Sequence, residues 1–237
     1  MRFIFLTAIL ALSLCASGVV SPFIQSENGF GAKTFSGSLI AAKDGKIIHR
    51  IYAQEGIATF GEVIGYKTIA PLKPLEAKIA TLGGETLNAY AALDMGAIAP
   101  NIYLRLEATS GGIEKLFTLE RGARVGDLLV AIEGAKGVSV NGAGELVVTT
   151  AKGDAAFTKP VAYQLIGGKK QPVEVAYKVS ASGYGFRLGK YDPRHGVIID
   201  PLMAATYTGG AARDGINAVI VDRESKSVYV AGVTDSP

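Results

Sequence analysis

Residues 161–179, VAYQLIGGKKQPVEVAYKV, decide the fold class of this chain. Two runs rich in aliphatic, β-branched and aromatic residues flank a Gly-Gly-Lys-Lys turn at 167–170, and glycine accepts the positive φ that tight turns demand. Strands joined by so short a turn must be antiparallel neighbours, because a parallel return needs a dozen or more residues. The stretch therefore predicts an antiparallel β-hairpin.

The same pattern recurs on both sides of this hairpin. In residues 137–150, GVSVNGAGELVVTT, a turn lies at 141–144, and Ser182-Gly183 marks another return of the chain. Other short runs of strand-forming residues are bounded by Gly, Asn or Asp. The predicted strands outside the central hairpin are residues 46–51, 102–106, 115–119, 128–132, 138–140 and 145–150.

Helical signals are weak, since no long stretch has apolar residues at helical spacing with caps at both ends. Residues 89–93 are the best helical candidate after the N-terminal segment, and they are too short to matter to the fold. In residues 61–74, Pro71 and Pro74 belong at a sheet edge or in a loop, which predicts strand, loop and strand. The predicted fold class is all-β, with an antiparallel β-sandwich-like domain over residues 22–200.

Composition excludes two classes of protein. Hydrophobic residues make up 49% of the 237 residues and charged residues 19%, which is unlike an intrinsically disordered chain. The net charge of +3 is small, and the 24 lysines and arginines are scattered rather than interleaved with aromatic residues. Nucleic acid is therefore not expected as a partner.

Residues 1–18 have the layout of a secretory signal peptide, with one arginine, an apolar run over 3–14 and small residues at 16–18. The run is too short to span a bilayer comfortably, and an uncleaved N-terminal anchor is the alternative. Leu14 precedes Cys15 where a lipobox has a small residue, so lipidation is not expected. The predicted location is secreted, periplasmic or at the cell surface, with no transmembrane span and no cysteine after signal cleavage.

The chain shows little catalytic apparatus, and no catalytic residue is predicted. Its two histidines are His49, in a strand-like run where it faces solvent or a polar neighbour, and His195, in the turn sequence DPRHG. No G-x-S-x-G elbow is present. A glycan hydrolase would need paired carboxylates across a cleft, but the available ones show no signature and are interpreted as solvated surface. These carboxylates are Glu107, Glu114, Glu120, Asp127 and Glu133.

Metal, cofactor and ligand signals are equally sparse. Asp214, Asp222 and Asp235 lack the dense spacing of an EF-hand loop, so solvated turn roles are favoured over calcium binding. The glycine pairs lack the Lys-Ser/Thr of a phosphate loop, and no cofactor is predicted. Tyrosines at alternating positions predict sheet core, with a carbohydrate-stacking platform as the alternative. The candidate ligand contacts are Tyr163, Tyr184 and Tyr191.

Several short motifs from Phe117 onward carry a family resemblance. They are Gly122-Ala123, Ile132-Glu133-Gly134-Ala135, Gly144-Glu145-Leu146, Lys159-Pro160-Val161-Ala162-Tyr163-Gln164, Tyr191-Asp192 and Ile199-Asp200-Pro201. In this order and spacing they resemble the all-β lead-in domain that precedes bacterial β-propeller repeats of the SBBP type.

The tail, residues 201–237, is similar to the start of the first SBBP repeat. It departs from the family at 223–226, where the turn usually carries glycine. A blade has four strands, so the resemblance implies an incomplete β-propeller blade and a fragment of a longer parent chain. The alternative is that the tail docks as a hairpin on the preceding domain, because a lone hairpin is marginally stable in water. The resemblance further implies an exported, non-enzymatic scaffold at the cell envelope, whose partners are downstream propeller repeats of the same parent chain and an envelope protein or glycan. The matching motifs are 205–210 (ATYTGG), Asp214-Gly215, Asn217-Ala218-Val219, Val221-Asp222, 228–232 (VYVAG), Thr234 and Ser236.

Overall fold

The computed structural model describes residues 22–26, 28–34, 37–53, 55–75, 79–80, 86–109, 112–203, 214–222 and 227–234. Within them the predicted all-β class is confirmed, because every regular element is a strand except one turn of 3-10 helix at Val125–Asp127. None of the described segments forms a helix with the length and apolarity needed to cross a membrane. The predicted signal peptide at 1–18, with Cys15, lies outside the described residues, as do Asp235 and residues 223–226.

The first eleven strands are β1 (Phe23–Ser26), β2 (Gly29–Thr34), β3 (Gly37–Ala42), β4 (Lys46–Ala53), β5 (Gly56–Val63), β6 (Ala70–Pro74), β7 (Ile79–Ala80), β8 (Thr86–Leu87), β9 (Ala89–Ala99), β10 (Ile102–Thr109) and β11 (Gly112–Leu119). In β5 and β10 the side chains alternate between the interior and the outer face, as the period of a strand requires. In β10, for example, Ile102, Leu104 and Leu106 are buried and Tyr103 is exposed.

The remaining strands are β12 (Leu129–Glu133), β13 (Gly137–Val140), β14 (Leu146–Thr150), β15 (Gly153–Phe157), β16 (Val161–Ile166), β17 (Lys169–Val173), β18 (Val175–Ser180), β19 (Gly183–Leu188), β20 (Val197–Asp200), β21 (Leu202–Met203), β22 (Asp214–Asp222) and β23 (Ser227–Thr234). All described strand pairs are antiparallel. For pairs joined by short turns, such as β3 with β4, the antiparallel sense follows from the turn.

One 16-stranded sheet organises residues 22–203, in the order β17-β16-β20-β11-β10-β9-β1-β2-β3-β4-β5-β12-β19-β18, with β6 and β21 pairing to β9 and β11. The strands β17 and β18 stand at opposite ends of this order, yet only Glu174 separates them in the chain. The sheet therefore curls until its two ends approach each other. Strands that are distant in the hydrogen-bonded order face one another across the core.

A three-stranded sheet, β13-β14-β15, packs beside the large one and contacts β4, β5 and β18. Its inward side chains Leu146, Val148, Ala155 and Phe157 are buried in the same core cluster as the large sheet. It therefore covers part of the interior that the large sheet would leave open.

The predicted central hairpin is present, with a shorter turn than expected. Only Gly167 and Gly168 lie between β16 and β17, with φ of 57° and 76°, and the two lysines that follow belong to β17. Two residues with positive φ are what a tight antiparallel hairpin needs. The turn at 141–144 is also confirmed, because Asn141 accepts a hydrogen bond from the amide of Gly144 and donates one to Glu145.

The helical candidate at 89–93 is wrong, since these residues open β9. Strand β9 pairs with β1, β6 and β10, and this sheet pairing outweighs the local preference of alanine and leucine for helix. The prediction for residues 61–74 is confirmed. Pro71 and Pro74 lie in β6, which pairs with β9 alone among the described strands, and an edge strand of this kind tolerates proline.

The chain divides into two compact units, Met1–Ala205 and Thr206–Pro237. In the second unit, β22 pairs with β23 from Asp214↔Thr234 to Asp222↔Ser227, with a bulge between Ile216 and Ala218. Among the described residues, these two strands pair with no third strand.

Candidate functional site

Four polar side chains meet inside the first unit, and we call them the buried tetrad: His49, Glu62, Lys115 and Tyr184. Successive side chains of a strand point to opposite faces of the sheet, and the inward positions fill the core. These four polar residues occupy such inward positions. On β5, Glu62 follows Ala58 and Phe60 on the inward face. The tetrad thus draws on four strands, β4, β5, β11 and β19.

Glu62 is the centre of the buried tetrad. Its Oε1 atom lies 2.5 Å from Nζ of Lys115 and also accepts a hydrogen bond from the hydroxyl of Tyr184. Its Oε2 atom lies 2.8 Å from Nε2 of His49. Nζ of Lys115 donates to the Tyr184 hydroxyl at 2.7 Å, which closes a triangle of amine, phenol and carboxylate.

The side chains of Glu62 and Lys115 are both 0% exposed, so bulk solvent does not reach this network. Burial by itself would raise the pKa of Glu62, but the charge of Lys115 and the hydrogen bonds from His49 and Lys115 outweigh it and hold that pKa below its usual value. Burial lowers the pKa of Lys115, against the charge of Glu62. Glu62 is therefore the anion, and Lys115 gives up its proton more readily than an exposed lysine does.

Aromatic rings form the walls around these polar atoms. Nζ of Lys115 lies 5.2 Å from the ring centre of Phe157, 5.4 Å from that of Tyr184 and 5.8 Å from that of Phe117. The imidazole of His49 stacks on Phe60 at 4.8 Å. Ring faces stabilise a cation and also exclude water. The tetrad is a desolvated polar site inside an apolar core.

A surface cleft lies at the C-terminal end of β11, and we call it the turn cleft. Its volume is about 130 Å³, which is below the range of roughly 300–1,000 Å³ that is typical of pockets for drug-sized ligands. Its lining includes Glu120, Arg121, Tyr191 and His195. Nδ1 of His195 is buried and lies 3.4 Å from Oδ2 of Asp192.

Buried Gln164 fixes one wall of the turn cleft. Its Nε2 atom donates to the carbonyl oxygens of Asp192 and His195 at 2.8 and 2.9 Å, and its Oε1 atom accepts from the amide of Asp192 at 2.9 Å. Hydrogen bonds with the side chain and amide of Arg194 hold the pKa of Asp192 below its usual value. The turn that carries Tyr191 and His195 is therefore fixed by Gln164 and by the contacts between Asp192 and Arg194 within the turn.

The three candidate ligand tyrosines occupy different surroundings. Tyr184 is 2% exposed and belongs to the buried tetrad, so a ligand at the surface does not reach its ring. Tyr163 is half-buried, with Nζ of Lys170 at 4.2 Å above its ring. Tyr191 is 39% exposed and lines the turn cleft. Of the three, only Tyr191 combines exposure with a concave surface.

The five candidate carboxylates are mostly paired with bases. Glu107 contacts Lys73 at 3.0 Å and Arg105 at 3.3 Å. It also lies directly opposite Glu114 in the register of β10 and β11. Neither of these two glutamates lines the turn cleft. The other ion pairs are Asp127 with Arg124 and Glu133 with Lys46, while Glu120 lines the turn cleft.

Within the described ranges, no group of three or more His, Cys, Asp or Glu side chains is arranged to hold a metal ion. Asp214 and Asp222 occupy the two ends of β22. At about 3.3 Å per residue they stand about 25 Å apart, which is too far for both to bind one ion.

Sequence reasoning missed Glu62 and Lys115 altogether. The available signal was a charged residue at an inward position of a period-two pattern, as in Ile113, Lys115 and Phe117. For His49, the expectation of a polar neighbour is confirmed by Glu62, whereas the solvent-facing alternative is wrong because His49 is buried.

The first unit is an antiparallel all-β domain with a desolvated polar cluster in its core. Residues 79–202 match the family described as Domain of unknown function (DUF7948). The match covers just over half of the chain, and the chain belongs to this family. It includes Lys115, Tyr184 and the turn cleft, while His49 and Glu62 precede it. No curated protein and no solved structure matches the chain.

Proposed function

We propose that the chain is the beginning of an exported bacterial β-propeller repeat protein of the SBBP type. Residues 22–200 form its sandwich-like lead-in domain, and residues 201–237 begin the first blade. The protein acts as a non-enzymatic scaffold at the cell envelope, and its closest partners are further repeats of the same parent chain. The motifs at Asp214-Gly215 and 228–232 support the assignment of the tail by resemblance.

The pairing of β22 with β23 alone carries this proposal. A two-stranded hairpin is marginally stable in water, and a propeller blade has four strands. Both outer edges of the hairpin lack a partner among the described strands, so each has backbone groups available to another strand. Downstream repeats would supply such strands, since repeat units bury their faces and edges against their neighbours.

The test is to fuse further copies of residues 206–237 to the C-terminus and to measure hydrogen exchange of the β22 and β23 amides. We expect the added copies to slow this exchange, because they complete the blade. The control copies carry Val230→Pro, which removes an amide at the centre of β23 and prevents sheet extension. Equal exchange with native and proline-containing copies would refute the array.

A carbohydrate-binding or adhesive role is a second candidate, favoured by the position of Tyr191. An exposed aromatic ring beside His195, Arg121 and Glu120 offers both a stacking surface and hydrogen-bonding groups. The test is binding to a glycan array by the intact chain and by Tyr191→Ala. The control is Tyr103→Ala, since Tyr103 is similarly exposed at 37% and does not line the turn cleft. Loss of binding in the first variant only is expected.

A further inference from the structure

The buried tetrad places an amine against a carboxyl group where water is excluded. Nζ of Lys115 is 2.5 Å from Oε1 of Glu62, and the carboxyl carbon of Glu62 is one bond beyond that oxygen. Both side chains are fully buried. Because the fold holds the two groups so close together, a reaction between them needs no diffusive encounter. This proximity removes much of the entropic barrier to reaction.

We propose that Lys115 and Glu62 condense into an intramolecular isopeptide bond, an amide that joins Nζ of Lys115 to Cδ of Glu62. The bond would link β11 to β5, which are 53 residues apart at these positions and have six strands between them in the sheet order. It would thus join two distant parts of the curled sheet covalently, without any cysteine.

The step balances without a co-reactant. One proton moves from Nζ of Lys115 to Oε1 of Glu62, which gives a neutral amine and a carboxylic acid. The amine lone pair then attacks Cδ and forms the C–N bond. A second proton passes from the nitrogen to the same oxygen, the Cδ–Oε1 bond breaks, and Oε1 departs as water. The product is a neutral secondary amide and one water molecule.

The other two members of the tetrad stand where this step needs them. The Tyr184 hydroxyl contacts both Nζ of Lys115 and Oε1 of Glu62, so it can relay a proton from the nitrogen to the departing oxygen. Nε2 of His49 lies 2.8 Å from Oε2, the oxygen that remains as the amide carbonyl. A hydrogen bond from His49 stabilises the negative charge that this oxygen gains during attack.

The apolar walls favour the product. Keeping two charges away from water has a desolvation cost, and the neutral amide product does not carry it. The rings of Phe117, Phe157 and Tyr184 around Nζ exclude the water that would hydrolyse the amide.

The chain contains a matched control pair at its surface. Nζ of Lys46 lies 2.9 Å from Oε2 of Glu133, and these side chains are 34% and 59% exposed. The chemical groups are the same, but water reaches them and no tyrosine bridges them among the contacts described. This pair is expected to stay an ordinary ion pair.

The test is the mass of the intact purified chain under denaturing conditions, with a tryptic digest of the same sample. We expect the chain to be lighter by one water molecule than its sequence requires. Trypsin would release peptide 51–67, which contains Glu62, still joined to peptide 106–121, which is uncut at Lys115. Cleavage after Lys46 should proceed normally. A folded wild-type chain with its full mass and a free 51–67 peptide would overturn the proposal.

Three variants distinguish a chain that does not form the isopeptide bond from a chain that does not fold. Lys115→Arg retains a positive charge and a donor for Glu62 but lacks the amine nucleophile, so it should fold and keep its full mass. Lys46→Arg should still lose one water molecule. Tyr184→Phe should form less of the joined peptide after a fixed time of refolding, and an undiminished yield would overturn the assigned proton relay. Circular dichroism of each variant confirms that it is folded.

Discussion

The hydroxyl of Tyr66 fixes a turn between two strands. Tyr66 is 1% exposed, and its hydroxyl lies 2.7 Å from the carbonyl oxygen of Ala42 and 2.5 Å from that of Lys46, at the two ends of the β3–β4 turn. Tyr66→Phe should lower the free energy of unfolding by about 1–3 kcal/mol, because buried carbonyl groups lose their donor. Chemical denaturation measures the change.

The control for this substitution is Tyr103→Phe, since Tyr103 is 37% exposed on the outer face of β10. Its hydroxyl group is close to solvent, so its loss should change the free energy of unfolding by less than about 0.5 kcal/mol. If the two variants lose equal stability, the hydroxyl of Tyr66 does not hold the turn.

Tyr66 also predicts a response to alkaline pH. Burial and the charge of Asp44 raise the pKa of Tyr66 above its usual value. The folded state therefore favours the protonated hydroxyl, and its contribution to stability is fully present below the ordinary tyrosine pKa of about 10. The contribution is lost as the pH rises above 10 toward the folded-state pKa. Stability measured from neutral to alkaline pH should fall less steeply for Tyr66→Phe than for wild type.

Single residues also mark the limit of sequence reasoning about the site. Charged residues at inward strand positions, such as Glu62 and Lys115, were visible in the sequence. Their meeting was not, because it depends on how the long sheet curls and brings β11 against β5. Tyr191 could be proposed from the sequence, while the turn cleft around it depends on Gln164, which comes from a different strand.

Gly183 lies where β12 and β19 approach each other closely. Gly183 pairs with Ala131, and a Cβ atom at position 183 would overlap the carbonyl oxygen of Val130. Gly183→Ala should therefore force these strands apart and lower the free energy of unfolding by about 1–3 kcal/mol. Thermal or denaturant unfolding measures it.

Gly61→Ala is the matched control, because Gly61 also lies in a strand of the large sheet and has open space where its Cβ would be. Alanine restricts the unfolded chain more than glycine does, so this variant should be neutral or stabilising. Comparable destabilisation by both substitutions would show that the loss comes from glycine itself and not from the close approach of β12.

Most strands could be predicted because their turns are local signals. Gly167-Gly168 and the turn at 141–144 specify hairpins within a few residues. Residues 89–93 were misjudged because their strand character depends on three partners, β1, β6 and β10, none of which is a local neighbour in that short window. Strand pairing over long distances leaves little trace in a single segment.

The sequence predicted strands and their antiparallel sense but not the order of the strands in the sheet. No local signal indicates that β20 pairs with β11 and β16, or that β12 pairs with β5. These pairings connect distant parts of the chain, and they join 16 strands of the first unit into one continuous sheet. The second unit has only the pairing of β22 with β23 among the described strands.

The two units should therefore differ in local stability, and two hairpins of equal length allow a direct comparison. The β22–β23 hairpin and the β10–β11 hairpin each have eight pairs of opposed residues. Strands β10 and β11 continue into further strands on both sides, so their amides exchange only when much of the sheet opens. The β22–β23 amides need only the hairpin to open, which costs little free energy. Hydrogen exchange of the intact chain should show strong protection in the first hairpin and weak protection in the second. Equal protection would mean that the tail is stabilised by contacts beyond its own two strands.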